Sequence, residues 1–97
     1  MVHNYELMFI VRPDVDEETL KAAREKVQST IAANGGEITD VQDMGKRRFA
    51  YEIDKFREGI YTVYKFKAPT TVVKELDHLV RITDNIMRHL IINLDEK

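Results

Sequence analysis

Cysteine is absent from this 97-residue chain, and its absence removes several functions at once. Without thiols, the protein has no disulfide framework, no thiolate zinc site and no cysteine nucleophile. No apolar run reaches the roughly 18 residues that a membrane-spanning helix needs, so the sequence predicts no membrane span. The first residues, MVHNYELMFIV, lack the basic start and the small-residue cleavage site of a signal peptide. These absences fit a cytoplasmic protein.

Motifs for catalysis and for cofactor binding are also missing. The three histidines are scattered without the spacing of a metal site, and no glycine-rich loop precedes a helix as a phosphate cradle would. No pair of acidic residues is isolated among apolar neighbours, as a tuned acid and base would be. We therefore predict a protein that is not an enzyme and that holds no cofactor and no metal.

What the chain contains is enough for one folded domain, residues 1–97, because 43% of its residues are apolar. The net charge is -2, but it is unevenly distributed. Residues 1–44 carry four basic and nine acidic side chains, whereas residues 45–97 carry eleven basic and eight acidic ones. Domains that bind nucleic acid alone tend to be plainly basic. The charge therefore favours RNA binding only as part of a larger surface.

Hydrophobic patterns of period 2 and of helical period follow one another in the order β-α-β-β-α-β. In the first strand, Tyr5, Leu7, Phe9 and Val11 share one face, while Glu6, Met8 and Ile10 share the other. The order predicts an α+β, ferredoxin-like split β-α-β fold with a four-stranded antiparallel sheet and two helices on one face. Strands one and three should be central. Apolar residues on the uncovered face would then form a docking surface.

Local signals predict where the elements begin and end. Asp14 or Asp16 can cap the first helix, and Asn34-Gly35-Gly36 supplies a left-handed end to it. Residues 37–54 are predicted to form one long, interrupted strand with a bulge or bend at Gly45. The segment DKFREG then forms a turn closed by Gly59, and the third strand follows it.

Aromatic side chains are frequent in the third strand, and some ferredoxin-like sheets stack RNA bases on such rings. Here the alternation places Tyr61 on the opposite face from Tyr64 and Phe66. No cation directly precedes Gly59, as it would in the usual RNA-binding motif. We therefore interpret these rings as core and edge packing rather than as a base-stacking platform.

Two groups of cations could contact phosphate. The denser one is Lys46, Arg47 and Arg48, and a looser one consists of Lys74, Arg81 and Arg88. Arginine can bind phosphate oxygens with two parallel hydrogen bonds, and lysine acts as a point charge. A solvated surface without a ligand remains the alternative interpretation of both groups.

An ordered set of short motifs runs along about 90 residues of the chain. It comprises Tyr5-Glu6, Pro13 after the first strand, the stretch Gly45, Arg47, Arg48, Ala50, Tyr51 and Ile53, then Gly59, Ala68-Pro69, Asp84-Asn85 and Arg88. In this set the chain resembles the bacterial small ribosomal subunit protein six family. It departs from the family at Val2 and His3, where a basic pair is usual, at Phe49, where leucine is usual, and at Glu52, where proline is common.

The resemblance implies a structural ribosomal protein that works in the cytoplasm, on the ribosome. Members bind the central domain of small-subunit ribosomal RNA together with small-subunit protein eighteen, a basic partner. The residues expected to contact RNA are Lys46, Arg47, Arg48, Arg81, Arg88 and His3. The residues expected to contact the partner protein are Met8, Ile10, Phe49, Tyr51 and Tyr64. The alternative is a ferredoxin-like regulatory or dimerisation module that pairs with itself through the same sheet face and does not bind RNA.

Overall fold

The computed structural model describes residues 2–95, in which two helices pack on one face of a four-stranded antiparallel sheet. The elements are β1 (Val2–Val11), α1 (Glu17–Ala33), β2 (Glu37–Ile53), β3 (Phe56–Pro69), α2 (Thr71–Ile82) and β4 (Ile86–Asn93). The strands lie in the order β2-β3-β1-β4 across the sheet. The ferredoxin-like fold and its two central strands are therefore confirmed. Met1, Glu96 and Lys97, which the predicted domain includes, lie outside the described residues.

Alternation along the two central strands selects the side chains that enter the core. Antiparallel pairing sets Leu7 opposite Tyr64 and Tyr5 opposite Phe66, so these four side chains lie on the face that the helices cover. Each of the four is at most 3% exposed. The helices complete this core with an apolar stripe each, made of Val27 and Ile31 from α1 and Val72 and Leu76 from α2.

Both ends of α1 are stabilised by local contacts. Of the two predicted capping residues, Asp16 is the N-cap: its Oδ1 accepts a hydrogen bond from the Thr19 backbone N–H at 2.8 Å. Hydrogen bonds from Thr19, first that of its side chain and then that of its backbone N–H, lower the pKa of Asp16. At the other end Gly35 has a φ of +79°, a conformation that glycine adopts without a steric penalty. The Gly36 N–H then donates to the Ile31 carbonyl at 2.8 Å, which closes the helix.

The β2–β3 hairpin differs from the prediction at its tip. Its turn consists of only two residues, Asp54 and Lys55, with φ angles of 50° and 70°. Positive φ at both central residues is the signature of the type I′ turn, whose twist matches that of the paired strands. Because the turn is this short, β3 begins at Phe56 and not after Gly59. The predicted bulge at Gly45 is present, as a register shift between Asp43 and Gly45.

The hairpin turn leads to a stability prediction. Lys55→Gly removes the steric cost of a left-handed conformation. This free energy is larger than the entropic free-energy cost that glycine adds on folding. We therefore expect the free energy of unfolding to rise by about 0.5–1 kcal/mol. The same change at Lys65, in the middle of β3, should destabilise the protein. Urea unfolding of both variants measures the difference. A loss of stability in Lys55→Gly would contradict the turn assignment.

Candidate nucleic-acid and protein interface

The sheet face opposite the helices, called the open face below, carries apolar residues without a covering element in residues 2–95. On β1, Met8 lies between Val63 of β3 and Leu90 of β4. Leu90 is 51% exposed and Ile92, two residues further along β4, is 40% exposed. Leaving two large aliphatic side chains this accessible on one face is characteristic of an interaction surface.

Phe49 joins this face from β2, across a glycine. A Cβ atom on Gly59 would contact both the Ile10 side chain and the Phe49 ring, so these two side chains converge over the bare backbone of β3. The Phe49 ring also lies 6.2 Å from the ring of Tyr61. We call the accessible residues of this surface the apolar band, which consists of Met8, Phe49, Tyr61, Leu90 and Ile92.

Two of the expected partner-protein residues are not accessible. Tyr64 is 0% exposed, because it lies under α1 with its ring 5.8 Å from that of Phe9. Its hydroxyl accepts a hydrogen bond from Gln28 Nε2 at 3.1 Å, and burial raises its pKa. The assignment of Tyr64 to a docking surface is therefore wrong. Ile10 faces the correct side, but it is only 5% exposed and supports the band from below.

Tyr51, the remaining expected partner residue, is 76% exposed. It lies in an irregular part of the hairpin, between the pairs Arg48–Glu58 and Ile53–Phe56. Over this interval β2 contains four residues whereas β3 contains only Arg57. Such an excess of residues on one strand bends it and redirects its side chains.

The three consecutive cations alternate between the two faces of the sheet. Lys46 pairs with Ile60 and Arg48 with Glu58, on the side of the helices, whereas Arg47 pairs with Gly59 on the open face. All three side chains are exposed. In the part of the chain that the structure describes, none of them forms an ion pair with a carboxylate, although Arg47 Nε donates to the Met44 carbonyl at 3.2 Å.

Other arginines are already paired. Arg12, Arg24 and Arg81 each have a nitrogen within 2.9–3.0 Å of an aspartate oxygen, and their respective partners are Asp14, Asp43 and Asp77. Arg81, one of the expected RNA residues, is thus partly neutralised within its own helix. Arg88 has no such partner among residues 2–95, and it lies on the open face opposite Ile10.

His3 lies apart from the other expected RNA residues. It pairs with Ala68 near the start of β1, and its Nδ1 is 3.7 Å from the Asp95 carboxylate. Ile10, which is next to Arg88, is seven residues further along the same strand, a distance of roughly 23 Å at the rise of an extended chain. The structure therefore brings Lys46, Arg47, Arg48 and Arg88 to one end of the sheet and leaves His3 at the other.

A contact that the sequence did not reveal joins α2 to β4. Nε2 of His89 lies 2.9 Å from Oδ1 of Asp77, while Arg81 Nε lies 3.0 Å from the other oxygen of the same carboxylate. The hydrogen bond with His89 is the largest cause of a lowered pKa at Asp77, and the positive charge of Arg81 adds to it. His89 thereby links the edge strand β4 to α2 by a side-chain contact.

Features of other functional classes are not observed in the described residues. Within residues 2–95, no three histidine or acidic side chains are grouped as metal ligands. The two helices of this range also lack the length and apolar character needed to cross a membrane.

Comparisons with known proteins agree on one family. The family model described as Ribosomal protein S6 matches residues 4–93. A relative from Carboxydothermus hydrogenoformans, small ribosomal subunit protein bS6, is 45% identical over 99% of this chain and 100% of its own length. The protein of the same name from Clostridium acetobutylicum is 46% identical over 98% of this chain and 100% of its own. The crystal structure of 30S ribosomal protein S6 from Thermotoga maritima superposes with a TM-score of 0.91 at 39% identity, covering 96% of this chain and 88% of that one.

The Asp77–His89 contact predicts a pH dependence of stability. A carboxyl whose pKa is lower in the folded than in the unfolded chain stabilises the fold above its unfolded pKa of about 4, and this contribution disappears as the pH falls through the folded pKa. Asp77→Asn should therefore be less stable than the wild type at pH 7, with the difference shrinking below about pH 4.

Urea unfolding at pH 7, 5 and 3 measures this difference. Glu25→Gln on α1 is the control, because Glu25 is exposed and has no ion pair in the described chain. A difference between Asp77→Asn and the wild type that persists unchanged at pH 3 would rule out this carboxylate as its source.

Proposed function

Since the chain belongs to the ribosomal protein S6 family, we propose that it is a non-catalytic component of the small ribosomal subunit and acts in the cytoplasm. In this role it binds the central domain of small-subunit ribosomal RNA together with small-subunit protein eighteen. The observation that supports the proposal best is the apolar band on the open face, flanked on the edge strands by Arg47 and Arg88, which form no ion pair within residues 2–95.

The apolar band is the proposed contact for the partner protein. Its accessible members come from all four strands, and Leu90 presents the most exposed of these side chains. Met8 and Phe49 remain in the proposed set, and Tyr61, Leu90 and Ile92 are added to it. A basic partner is compatible with the acidic first half of the chain, whose exposed carboxylates include Glu37 and Asp40 on β2, at the edge of the sheet.

The proposed RNA contacts are the cations at one end of the sheet that form no ion pair in the described part of the chain, Lys46, Arg47, Arg48 and Arg88. Arg81 is a weaker candidate, because phosphate would compete with Asp77 for its guanidinium group. His3 would have to reach a different part of the RNA, given its place at the opposite end of β1. Four cations and a net charge of -2 give little affinity for RNA without help from the partner.

Filter binding of a central-domain ribosomal RNA fragment tests the proposal, with and without small-subunit protein eighteen, at two salt concentrations. We expect weak binding by the chain alone and tight, salt-sensitive binding with the partner present. An absence of binding under both conditions, together with a homodimer in sedimentation experiments, would instead support self-pairing through the apolar band.

Arg47→Gln should make the binding of RNA less sensitive to salt. Each phosphate contact contributes about 0.9 to the slope of log K against log salt, so losing one contact should reduce the slope by about one unit. Lys21→Gln is the control, because Lys21 is exposed on α1 and should leave the slope unchanged. An unchanged slope for Arg47→Gln would remove Arg47 from the RNA contacts.

Leu90→Glu should weaken the complex with protein eighteen in the absence of RNA. A carboxylate at the centre of an apolar contact must be desolvated, and we expect a loss of about tenfold in affinity. Because Leu90 is 51% exposed, the variant should fold normally. Val41→Glu is a matched control, since Val41 is 48% exposed but lies on the helix side of β2. Calorimetric titration of both variants distinguishes a docking residue from any exposed aliphatic one.

A further inference from the structure

We propose that Tyr51, Arg48 and Arg57 form a pocket for one unstacked nucleotide of the RNA, with its base against the Tyr51 ring. This inference rests on the proposed function, because it assigns a binding mode within the same RNA complex. It also moves Tyr51 from the protein contacts, where the sequence placed it, to the RNA contacts, and it adds Arg57.

The accessibility of Tyr51 distinguishes it from the other tyrosines. Tyr5 and Tyr64 are core residues with at most 3% exposure, and Tyr61 packs against Phe49 on the open face. Tyr51 is 76% exposed, and no aromatic partner is found for it among residues 2–95. Its ring is therefore largely accessible to a ligand.

The backbone of the hairpin holds this ring in place. The ladder between β2 and β3 is regular up to Arg48–Glu58 and again at Ile53–Phe56, where the two-residue turn closes it. Tyr51 lies on residues 49–52 of β2, which have no paired partner on β3 between these two regular parts of the ladder. A ring on a bulged strand that is anchored at both ends loses less conformational entropy on binding than one on a long loop would.

The surroundings of the ring are charged rather than apolar. Arg48, Arg57 and Glu52 line a concavity of about 300 Å³ together with Phe49, Ala50 and Tyr51. Neither arginine forms an ion pair in the described chain. Two guanidinium groups against one carboxylate leave the concavity positive, and a small cleft of this size suits one nucleotide better than a protein side chain with its neighbours.

The chemistry of the three side chains matches an unstacked nucleotide. Any nucleobase can stack on an aromatic ring, and such stacking is sequence-tolerant because every base has a π-face. Arginine on either side can bind the adjoining phosphate with two parallel hydrogen bonds. A protein partner, in contrast, would need a broader apolar surface around the ring, and the lining here offers only Phe49 and Ala50 beside Tyr51 itself.

Variants of Tyr51 test the pocket in the complex of RNA, protein eighteen and this chain. Tyr51→Leu keeps an apolar side chain but removes the π-face, and it should weaken RNA binding about 5- to 150-fold. Its salt slope should stay that of the wild type, because no phosphate contact is lost. Tyr51→Phe should bind within about twofold of the wild type. Arg57→Gln should reduce the salt slope by about one unit.

Ile82→Ala is the control for removing an exposed apolar side chain, because Ile82 is 61% exposed on α2. If the wild type binds RNA and Tyr51→Leu binds equally well, the nucleotide pocket is wrong while the proposed function stands. If Tyr51→Leu weakens the binary complex with protein eighteen, Tyr51 is a protein contact and the inference is overturned. If the wild type binds no RNA, both proposals fail together.

A spectroscopic measurement observes stacking directly. The chain contains no tryptophan, so Tyr51→Trp introduces a single probe at the pocket. Its fluorescence should be quenched when the central-domain RNA fragment binds in the presence of protein eighteen that also lacks tryptophan. RNA that binds without quenching would show that no base reaches the ring.

Discussion

A four-stranded sheet presents two faces, and the two helices of this chain cover one of them. Side chains alternate between faces along each strand, so the same strands supply the core and the open surface. On β1, Leu7 is fully buried beneath the helices, while its neighbour Met8 faces the opposite side. Part of the apolar surface that the fold does not bury, including Leu90 and Ile92, is thereby placed on the open face. The proposed protein contact is a consequence of this unequal covering.

The order of elements and the facing of β1 could be predicted because both depend only on local periodicity. The period-2 alternation from Tyr5 to Val11 is visible in the sequence, and the caps of α1 follow from residue type. The hairpin turn could not be predicted in the same way. Asp54 and Lys55 adopt positive φ angles that are usually associated with asparagine and glycine, and the twist of the paired strands imposes them.

The candidate site was less predictable than the fold, because it depends on register. Whether Tyr64 faces Leu7 or Met8 is decided by the pairing of β3 with β1, and a shift by one residue exchanges the two faces. The ion pairs likewise depend on how the elements are placed in space. Sequence spacing allows Arg81 to reach Asp77, but the contribution of His89 requires β4 to lie beside α2. The exposed ring of Tyr51 results from unequal strand lengths in the hairpin, which hydrophobic patterns do not encode.

The distribution of charge acquires a physical meaning once the strands are placed. Five cations and three carboxylates lie between Gly45 and Gly59, around the tip of the β2–β3 hairpin, so this part of the chain is positive although the chain as a whole is negative. A weakly anionic protein whose proposed RNA-binding cations lie at one end of the sheet approaches RNA favourably from that end. Specific orientation, rather than high intrinsic affinity, is what this arrangement favours.

The position of β1 in the sheet also has a consequence for synthesis. β1 is the first strand of the chain, yet both strands that flank it come much later. The paired residues of β1 and β3 that lie closest in sequence, Val11 and Ile60, are 49 residues apart. The other neighbour, β4, follows only after α2. At 5–20 residues per second, translation needs roughly 2 to 10 seconds to supply the first of these partners. Small mixed domains fold in no more than about a second once the chain is complete. The time for which the central strand remains unpaired is therefore set by the rate of translation and not by the rate of strand pairing.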